Sequence, residues 1–394
     1  MPQLSSRITT LNDAGSDGWE VFYRARQMKD QGADVTELTI GEHDIGTDAS
    51  ILQAMNRAAM DGHTGYAMVP GTDALRTAVA TRVQNATGVP TIPDNVLITP
   101  GGQAALFSAH MAACQPGDTG LFIEPYYATY PGVIRGAGAR AVSVPTRAEH
   151  SFCPQAADVA AAASTHKATS LLVNTPNNPT GVVYPRVTVQ AIADVARDHN
   201  LWLISDEVYD TQVWEGTHIS PRSLPGMADR TLVVGSMSKS HAMTGSRVGW
   251  VIGPADAVAA MIDLATSTTY GVPGYIQDAA TYALTAGAAL ESRVAAPFRR
   301  RRDLATAILA EQSCVRLVPS GGAMYLFLDI RATGLTGDAF ANALLDTHGI
   351  AVMPGESFGP SAAGHVRVAM TVADDAFATA LGCLCRFAQD LTQR

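Results

Sequence analysis

The feature that most constrains the fold is an alternation of short apolar runs with helix-like stretches from about residue 96 to residue 253. The runs are VLIT (96–99), LFIE (121–124), AVSV (141–144), SLLVN (170–174), LWLIS (201–205), TLVVG (231–235) and VGWVIG (248–253). Uninterrupted apolar runs of this length are typical of parallel strands buried on both faces. Strands that alternate with helices imply right-handed crossovers. We therefore predict an α/β fold in three layers, with a mostly parallel central sheet and helices on both faces.

The pattern changes after about residue 290. A long helical stretch precedes VRLVPSGGAMYLFLDI, which predicts a hairpin around Gly321 and Gly322, and a helix over 338–348, two short strands and a closing helix follow. A chain of 394 residues suits two domains. We predict a large domain at 46–289 and a smaller α+β domain at 290–394. Residues 1–45 are expected to form an N-terminal arm and part of the smaller domain.

Composition excludes several classes of function. The net charge of −9 argues against a nucleic-acid partner, because a phosphate backbone requires a cationic face. No run reaches the roughly 18 apolar residues of a membrane helix, and the N-terminus lacks the apolar core of a signal peptide. The five cysteines are odd in number and lack a CxxC spacing, which favours reduced thiols in the cytoplasm and no metal site.

Polar residues that follow buried strands are candidates for a site, since ligands of open α/β sheets bind where strands end. In SMSKSHAMTGSRVG (236–249), Lys239 follows Ser236 at a strand end, and Arg247 lies eight residues further on. A lysine amine can form a Schiff base with a carbonyl, and arginine offers forked donors to phosphate. An exposed lysine in a polar turn is the plainer alternative. Ser236-x-x-Lys239 also matches a serine acyl-hydrolase motif, but its partner motifs SDN and KTG do not occur.

Two further segments share this position. In LWLISDEVYD, Asp206 ends an apolar run, where an unpaired carboxylate is costly, and Tyr209 follows three residues later. In NTPNNPTG, Asn178 precedes a proline, so its backbone favours an extended conformation that can aim the amide at a ligand. Taken alone, Asp206 is as consistent with a helix cap, and the second segment with an ordinary tight turn.

A glycine turn opens the helix that follows residues 96–99. Exposed N–H groups at the start of a helix bind phosphate well, which makes Gly101, Gly102 and Gln103 candidates. This turn is neither a Walker A loop nor GxGxxG. A nominal GxGxxA at 136–141 leads into a strand, so we do not interpret it as a dinucleotide site.

Together and in this order, these segments resemble the class I/II aminotransferases, which are pyridoxal-phosphate enzymes of fold type I. SMSKS…GSRVG resembles their cofactor-lysine motif, DEVYD their pyridine-ring motif and NTPNNPTG their Asn-Pro-Thr-Gly motif. The resemblance extends from LTIGEHD (38–44) through GYAMVPGTDALR (65–76) to HVRVAM (365–370). It implies an enzyme that binds pyridoxal 5'-phosphate and moves the amino group of a small L-amino acid to a 2-oxo acid by a ping-pong mechanism.

The resemblance also implies a role for each cofactor residue. Lys239 would be the Schiff-base lysine and the proton shuttle between the substrate Cα and the cofactor C4′. Asp206 would pair with the pyridinium nitrogen, and Tyr209 and Asn178 would donate to the phenolic oxygen. Tyr127 would stack on the ring, with Tyr126 as the alternative if the register differs by one. The phosphate would be held by Ser236, Arg247 and the turn at Gly101, Gly102 and Gln103.

Substrate and partner residues follow from the same resemblance. Arg367 would bind the substrate α-carboxylate, with Gly41 as a backbone contact and Asn178 nearby. Tyr66 would reach the phosphate of a neighbouring subunit, which implies a homodimer with shared active sites. Family members that act on dicarboxylates use a second arginine, and TSTTYGVPGYIQ (266–277) contains none, which argues against an aspartate-specific enzyme.

Two alternatives remain open at this point. The same lysine, carboxylate and phosphate site would serve a pyridoxal-phosphate β-lyase or decarboxylase. The effector domain of a cofactor-fused transcription regulator is a non-enzymatic alternative. It is disfavoured because only about 45 non-basic residues precede the family-like region.

Overall fold

The computed structural model describes residues 2–12 and 18–393. Within them the strands are β1 Thr36–Leu38, β2 Val96–Thr99, β3 Thr119–Glu124, β4 Arg140–Pro145, β5 Ser170–Asn174, β6 Trp202–Asp206, β7 Thr231–Ser236, β8 Gly249–Ile252, β9 Arg316–Leu317, β10 Tyr325–Asp329, β11 Ile350–Pro354 and β12 His365–Ala369. The helices are α1 Ser6–Thr9, α2 Glu20–Asp30, α3 Ala49–Met60, α4 Asp73–Thr87, α5 Gly101–Ala113, α6 Tyr130–Gly136, α7 Ala156–His166, α8 Arg186–Asp198, α9 Met237–Ser240, α10 Ala255–Ser267, α11 Gly274–Thr285, α12 Ala289–Ala310, α13 Gly337–His348 and α14 Asp374–Thr392.

Seven strands form the central sheet in the order β2–β8–β7–β6–β5–β3–β4. Strand β8 is antiparallel to both of its neighbours, and the other pairs are parallel. The predicted mostly parallel sheet is therefore confirmed. Strand β8 runs the other way, and the segment between β7 and β8 contains only the short α9 and a 3-10 turn at Thr244–Ser246, so it has no helix long enough for the crossover that a parallel return usually uses.

Alternate residues of the central strands pack on opposite sides of the sheet. Leu171 and Leu203 lie in one apolar cluster with Ile192 of α8. Leu172 and Ile204 lie in another cluster, with Leu106 of α5. Helices therefore cover both faces, as the uninterrupted apolar runs predict.

A second sheet has the order β1–β11–β12–β10–β9, in which β1 is parallel to β11 and the other pairs are antiparallel. The predicted hairpin around Gly321 and Gly322 joins β9 to β10. Strand β1 places part of the N-terminal segment in this sheet, while the domain boundaries at residues 45 and 289 stay predictions. Among the described helices, none combines the length and the apolar character needed to cross a membrane.

Candidate active site

Three parallel strands of the central sheet end beside one another. Asn174 ends β5, Asp206 ends β6 and Ser236 ends β7, with Asn174 opposite Asp206 in the ladder. The Asn174 amide donates to the Asp206 carbonyl oxygen over 2.9 Å, and its Oδ1 accepts from the Asn178 backbone N–H over 2.7 Å. This side chain fixes the loop that carries Asn178 relative to the end of β6.

A cavity of about 260 Å³ opens at this edge of the sheet. Most of the residues singled out by sequence line it: Gly41, Gly102, Gln103, Tyr127, Asn178, Asp206, Tyr209, Ser236, Lys239, Arg247 and Arg367. Tyr127 rather than Tyr126 faces the cavity, which supports the first choice of register. Gly101 lies beside the cavity against Arg247. Tyr66 does not line it and is 92% exposed, with its ring edge-on to Tyr270.

Lys239 extends from α9 into the cavity, where its Nζ donates to the Gly41 carbonyl oxygen. Two side chains fix the backbone of this turn. The Lys239 carbonyl accepts from Gln212 Nε2 at 3.2 Å and lies 3.0 Å from His43 Nε2. Burial lowers the pKa of the Lys239 amine below its ordinary value. The fold thus favours the neutral amine, which is the nucleophilic form.

Asp206 is a buried carboxylate at the end of β6. Its Oδ2 accepts from the Tyr130 hydroxyl over 2.7 Å and its Oδ1 from the Val208 N–H over 3.3 Å. Burial raises its pKa to about 6. Among the described residues no cationic side chain pairs with this carboxylate, so a positively charged group in the cavity would be its natural partner.

Glycine allows the start of α5 to approach Arg247 closely. Gly101 has φ of +79°, and a Cβ there would lie 2.3 Å from Arg247 Nη2. The N–H groups of the first turn of α5 therefore lie next to a guanidinium. The Ser236 hydroxyl, which accepts from the Ser238 N–H over 3.1 Å, lines the same cavity. The Arg247 guanidinium, the backbone N–H groups at the start of α5 and the Ser236 hydroxyl together suit a phosphate group.

Arg367 is 1% exposed and lies on β12. Its Nη1 donates to Asn178 Oδ1 over 2.8 Å, and its Nη2 donates to the Thr39 carbonyl oxygen. The guanidinium carbon lies 4.4 Å from the centre of the Tyr325 ring and 4.6 Å from that of Phe358. Its buried Nε has no hydrogen-bond partner within the described residues, so the group retains donor capacity for a carboxylate.

Several lining residues were missed by sequence reasoning: Trp19, Asn174, Tyr130, Ser238, Thr244 and Tyr325. Tyr130 lies in EPYYATYP, where the density of tyrosines after a strand was a usable signal. Tyr325 gave none, because its strand reads as a plain apolar run. The phosphate contact predicted for Gln103 concerns its backbone N–H at the start of α5, and its side-chain amide donates to the Thr129 hydroxyl over 2.8 Å.

These residues fit pyridoxal 5'-phosphate. A neutral amine can condense with its aldehyde, a buried carboxylate can pair with its ring nitrogen, and a glycine turn beside a guanidinium can hold its phosphate.

Comparisons with known proteins agree with this geometry. The sequence model of aminotransferase class I and II matches residues 33–382. The chain is 44% identical over 358 residues to the arginine–pyruvate transaminase AruH of Pseudomonas aeruginosa, covering 91% of each chain. It is 35% identical over 385 residues to the aspartate/prephenate aminotransferase of Thermus thermophilus, covering 97% of each chain.

Solved structures share the whole fold. Aspartate aminotransferase from Thermus thermophilus, solved with maleate, superposes with a TM-score of 0.91 at 34% identity, over 98% of this chain and all of that one. An aromatic aminotransferase from Pyrococcus horikoshii gives a TM-score of 0.87 at 30% identity, over 93% of this chain and 99% of that one. The lyase, decarboxylase and regulator alternatives find no support among these relatives. The chain belongs to the class I and II aminotransferase family and is a pyridoxal-phosphate-dependent aminotransferase of fold type I.

Proposed function

We propose that Lys239 is the Schiff-base lysine of this aminotransferase and that Asp206 is the carboxylate opposite the ring nitrogen of the cofactor. The observation that carries this assignment is that both side chains line one cavity at the ends of two paired strands, β7 and β6. When bound, the cofactor supplies the electron sink that stabilises negative charge at the substrate Cα. The Asp206 carboxylate would stabilise the protonated ring nitrogen, and a protonated ring withdraws electrons from the substrate Cα more strongly.

Lys239 also moves the proton. Its lowered pKa favours the neutral amine, so Nζ can take the proton from the substrate Cα and then deliver it to the cofactor C4′. The Gly41 carbonyl, which accepts from Nζ, orients the amine in the cavity. Tyr209 and Asn178 are proposed as donors to the phenolic oxygen. Tyr127 is proposed to stack on the ring, and Arg247, Ser236 and the start of α5 to hold the phosphate.

Arg367 is proposed to bind the α-carboxylate of the amino acid and then that of the 2-oxo acid. Its guanidinium is fixed by Asn178 and Thr39 and keeps an unused Nε–H. The backbone N–H of Gly41 is proposed as a second contact. One carboxylate site that serves both substrates in turn is consistent with a ping-pong mechanism.

We propose donors whose side chains carry no carboxylate. The described cations that line the cavity are Lys239, Arg247 and Arg367, and each already has a proposed partner. No cation of this kind remains for a distal carboxylate, and 266–277 contains no arginine. The name of the arginine–pyruvate transaminase relative makes L-arginine and pyruvate the first pair to test.

A homodimer with shared active sites is also proposed. Its support is the exposed pair Tyr66 and Tyr270, with Met68 nearby in sequence and 69% exposed, since exposed apolar groups of this size mark interaction surfaces. Tyr66 would reach the phosphate in the partner. Sedimentation at micromolar concentration tests the dimer. A cytoplasmic location is proposed from the five unpaired cysteines.

The lysine assignment is tested with Lys239→Ala. We expect this variant to bind cofactor without a link that borohydride can fix, because no other amine takes part. Mass spectrometry of the reduced protein measures the link, and Lys167→Ala, on the surface turn after α7, is the control. Cofactor still fixed to Lys239→Ala would refute the assignment.

The reaction is tested by mixing purified enzyme with single amino acids and following loss of the Schiff-base absorbance near its visible maximum. We expect the half-reaction with donors that lack a side-chain carboxylate, and recovery on adding pyruvate. Aspartate reacting faster than every such donor would contradict the donor proposal. Release of ammonia and pyruvate from one substrate without an acceptor would instead establish a lyase.

A further inference from the structure

Tyr325 contacts several residues of the site, although no sequence motif assigned it a role. It lies on β10 of the five-stranded sheet, is 3% exposed and lines the cavity. Through it the smaller sheet contacts Tyr209 in the loop after β6, Arg367 of β12 and the Gly41 loop after β1.

The hydroxyl contact is with Tyr209. The two hydroxyl oxygens lie 3.1 Å apart, and the two rings are edge-on with centres 5.9 Å apart. Each hydroxyl has one hydrogen and can also accept a bond. If Tyr325 donates, the hydrogen of Tyr209 remains free to point into the cavity. Burial raises the pKa of Tyr209 well above its usual range, so this hydroxyl stays protonated and able to donate.

The ring contact is with Arg367. Its guanidinium carbon lies over the rings of Tyr325 and Phe358, 4.4 Å and 4.6 Å from the ring centres. The attraction between a cation and an aromatic face is strongest at a desolvated site, so these two rings hold the guanidinium in place. The ring alone provides this contact, and it does not require the hydroxyl.

The third contact sets the position of the Gly41 loop. A Cβ built on Gly41 would lie 1.8 Å from the Tyr325 hydroxyl oxygen, so the loop backbone rests directly on this hydroxyl. The same Gly41 carries the carbonyl that accepts from Lys239 Nζ. Tyr325 therefore contacts three parts of the site: Tyr209, Arg367 and the Gly41 loop that accepts from Lys239.

We propose that Tyr325 is a positioning residue with two separable actions. Its hydroxyl orients Tyr209 as the donor to the phenolic oxygen of the cofactor, and its ring fixes Arg367 for the substrate carboxylate. This proposal rests on the proposed roles of Tyr209 and Arg367. It predicts that removing the hydroxyl changes the cofactor's titration and kcat, whereas removing the ring changes KM for the amino acid.

The test compares Tyr325→Phe with Tyr325→Leu in the holoenzyme. For Tyr325→Phe we expect the midpoint of the pH-dependent absorbance change to rise, because a weaker donor leaves more negative charge on the phenolic oxygen and makes the imine nitrogen more basic. We expect kcat to fall several-fold and KM to stay within about twofold. For Tyr325→Leu we expect a further rise in KM of roughly tenfold, the size of a desolvated cation–π contact.

Tyr184→Phe is the matched control, since Tyr184 is a buried tyrosine that does not line the cavity. It should move neither the midpoint nor KM. An unchanged midpoint in Tyr325→Phe would overturn the hydroxyl action, and equal KM values in the two Tyr325 variants would overturn the ring action. If the wild-type enzyme showed no half-reaction with any amino acid, the proposed function itself would fail. Tyr325→Phe loses one oxygen atom and keeps the packing, and a thermal melt identifies any variant that does not fold.

Discussion

At the scale of single residues, Asp206 shows how the fold maintains a charge that has no cationic partner. Its carboxyl is buried at a strand end, accepts from Tyr130 and Val208, and has a pKa of about 6 against an ordinary 3.8. The unfolded chain therefore loses this proton at lower pH than the folded apoenzyme does. Ionisation consequently destabilises the apoenzyme, with no cost below about pH 4 and the full cost above about pH 6.

Asp206→Asn should therefore stabilise the apoenzyme at pH 7.5. The expected gain is on the order of 3 kcal/mol, from roughly two pKa units at about 1.4 kcal/mol each, and it should vanish near pH 4. Urea unfolding of the two apoenzymes across this pH range measures it. Once cofactor is added, the wild-type protein should become more stable than Asp206→Asn, because the protonated ring nitrogen then supplies the cation that Asp206 lacks. An apoenzyme gain that is independent of pH would contradict the argument.

Sequence alone identified Asp206 because a carboxylate at the end of an apolar run is conspicuous. It did not identify Tyr325, because a tyrosine within MYLFLDI looks like one more apolar strand residue. Its function depends on Tyr209 and Arg367, which lie 116 residues away and on another strand. Only the packing of two sheets brings these three together.

At the scale of elements, the strand ends were predictable to within about one residue. Strand β6 covers 202–206 where the apolar run predicted 201–205, and α13 begins at Gly337 where residue 338 was expected. Both predictions succeed because the change from apolar to polar residues marks the end of a buried element. The side-chain hydrogen bonds that connect neighbouring strand ends, such as those of Asn174, leave no such pattern in the sequence.

Asn174→Ala tests this connection between β5 and β6. The change removes the bond to the Asp206 carbonyl and leaves the buried Asn178 N–H without its acceptor. An unsatisfied buried group costs about 1–3 kcal/mol, so we expect a loss of that size in the free energy of unfolding. We also expect weaker cofactor binding, since Asn178 is no longer held. The exposed Asn85→Ala on α4 is the control, and equal effects in both variants would refute the role of Asn174.

At the scale of the whole molecule, the cavity is built by both sheets. Asp206 ends a strand of the central sheet and Lys239 and Tyr209 follow its strands, whereas Gly41 and Arg367 come from segments next to or within the five-stranded sheet. Thr39 and Arg367, which share a hydrogen bond, are 328 residues apart in sequence. Composition and periodicity cannot reveal a contact over that distance, and only the resemblance to a family placed Gly41 and Arg367 in one site.

Arg301 stabilises this arrangement from outside the cavity. It is buried on α12 and pairs with Asp44, three residues after Gly41, at 2.6 Å and with Asp374 of α14 at 2.8 Å. Its removal leaves Asp44 without this partner, while Asp374 keeps Arg300, and breaking a buried ion pair typically costs about 3–5 kcal/mol. We expect Arg301→Leu to lower the free energy of unfolding by about 3 kcal/mol and to weaken substrate binding by displacing the loop of Gly41.

Arg300→Leu is the matched control, since Arg300 pairs with the same Asp374 but its side chain is 60% exposed. Exposed pairs contribute at most about 1 kcal/mol, so this variant should remain close to wild type. Chemical denaturation of both variants measures whether the buried Arg301 contributes more to the free energy of unfolding than the exposed Arg300. Similar losses would show that burial of Arg301 contributes little.

The contact of Arg367 with two aromatic rings has a consequence for inhibition. Within the described chain no acidic side chain neutralises this guanidinium, so it acts as an anion receptor even before an amino acid arrives. Carboxylic acids that lack an amino group should therefore occupy it and compete with the donor. They should also make the nearby lysine easier to protonate, so that inhibitor binding is visible as a colour change in the absence of turnover.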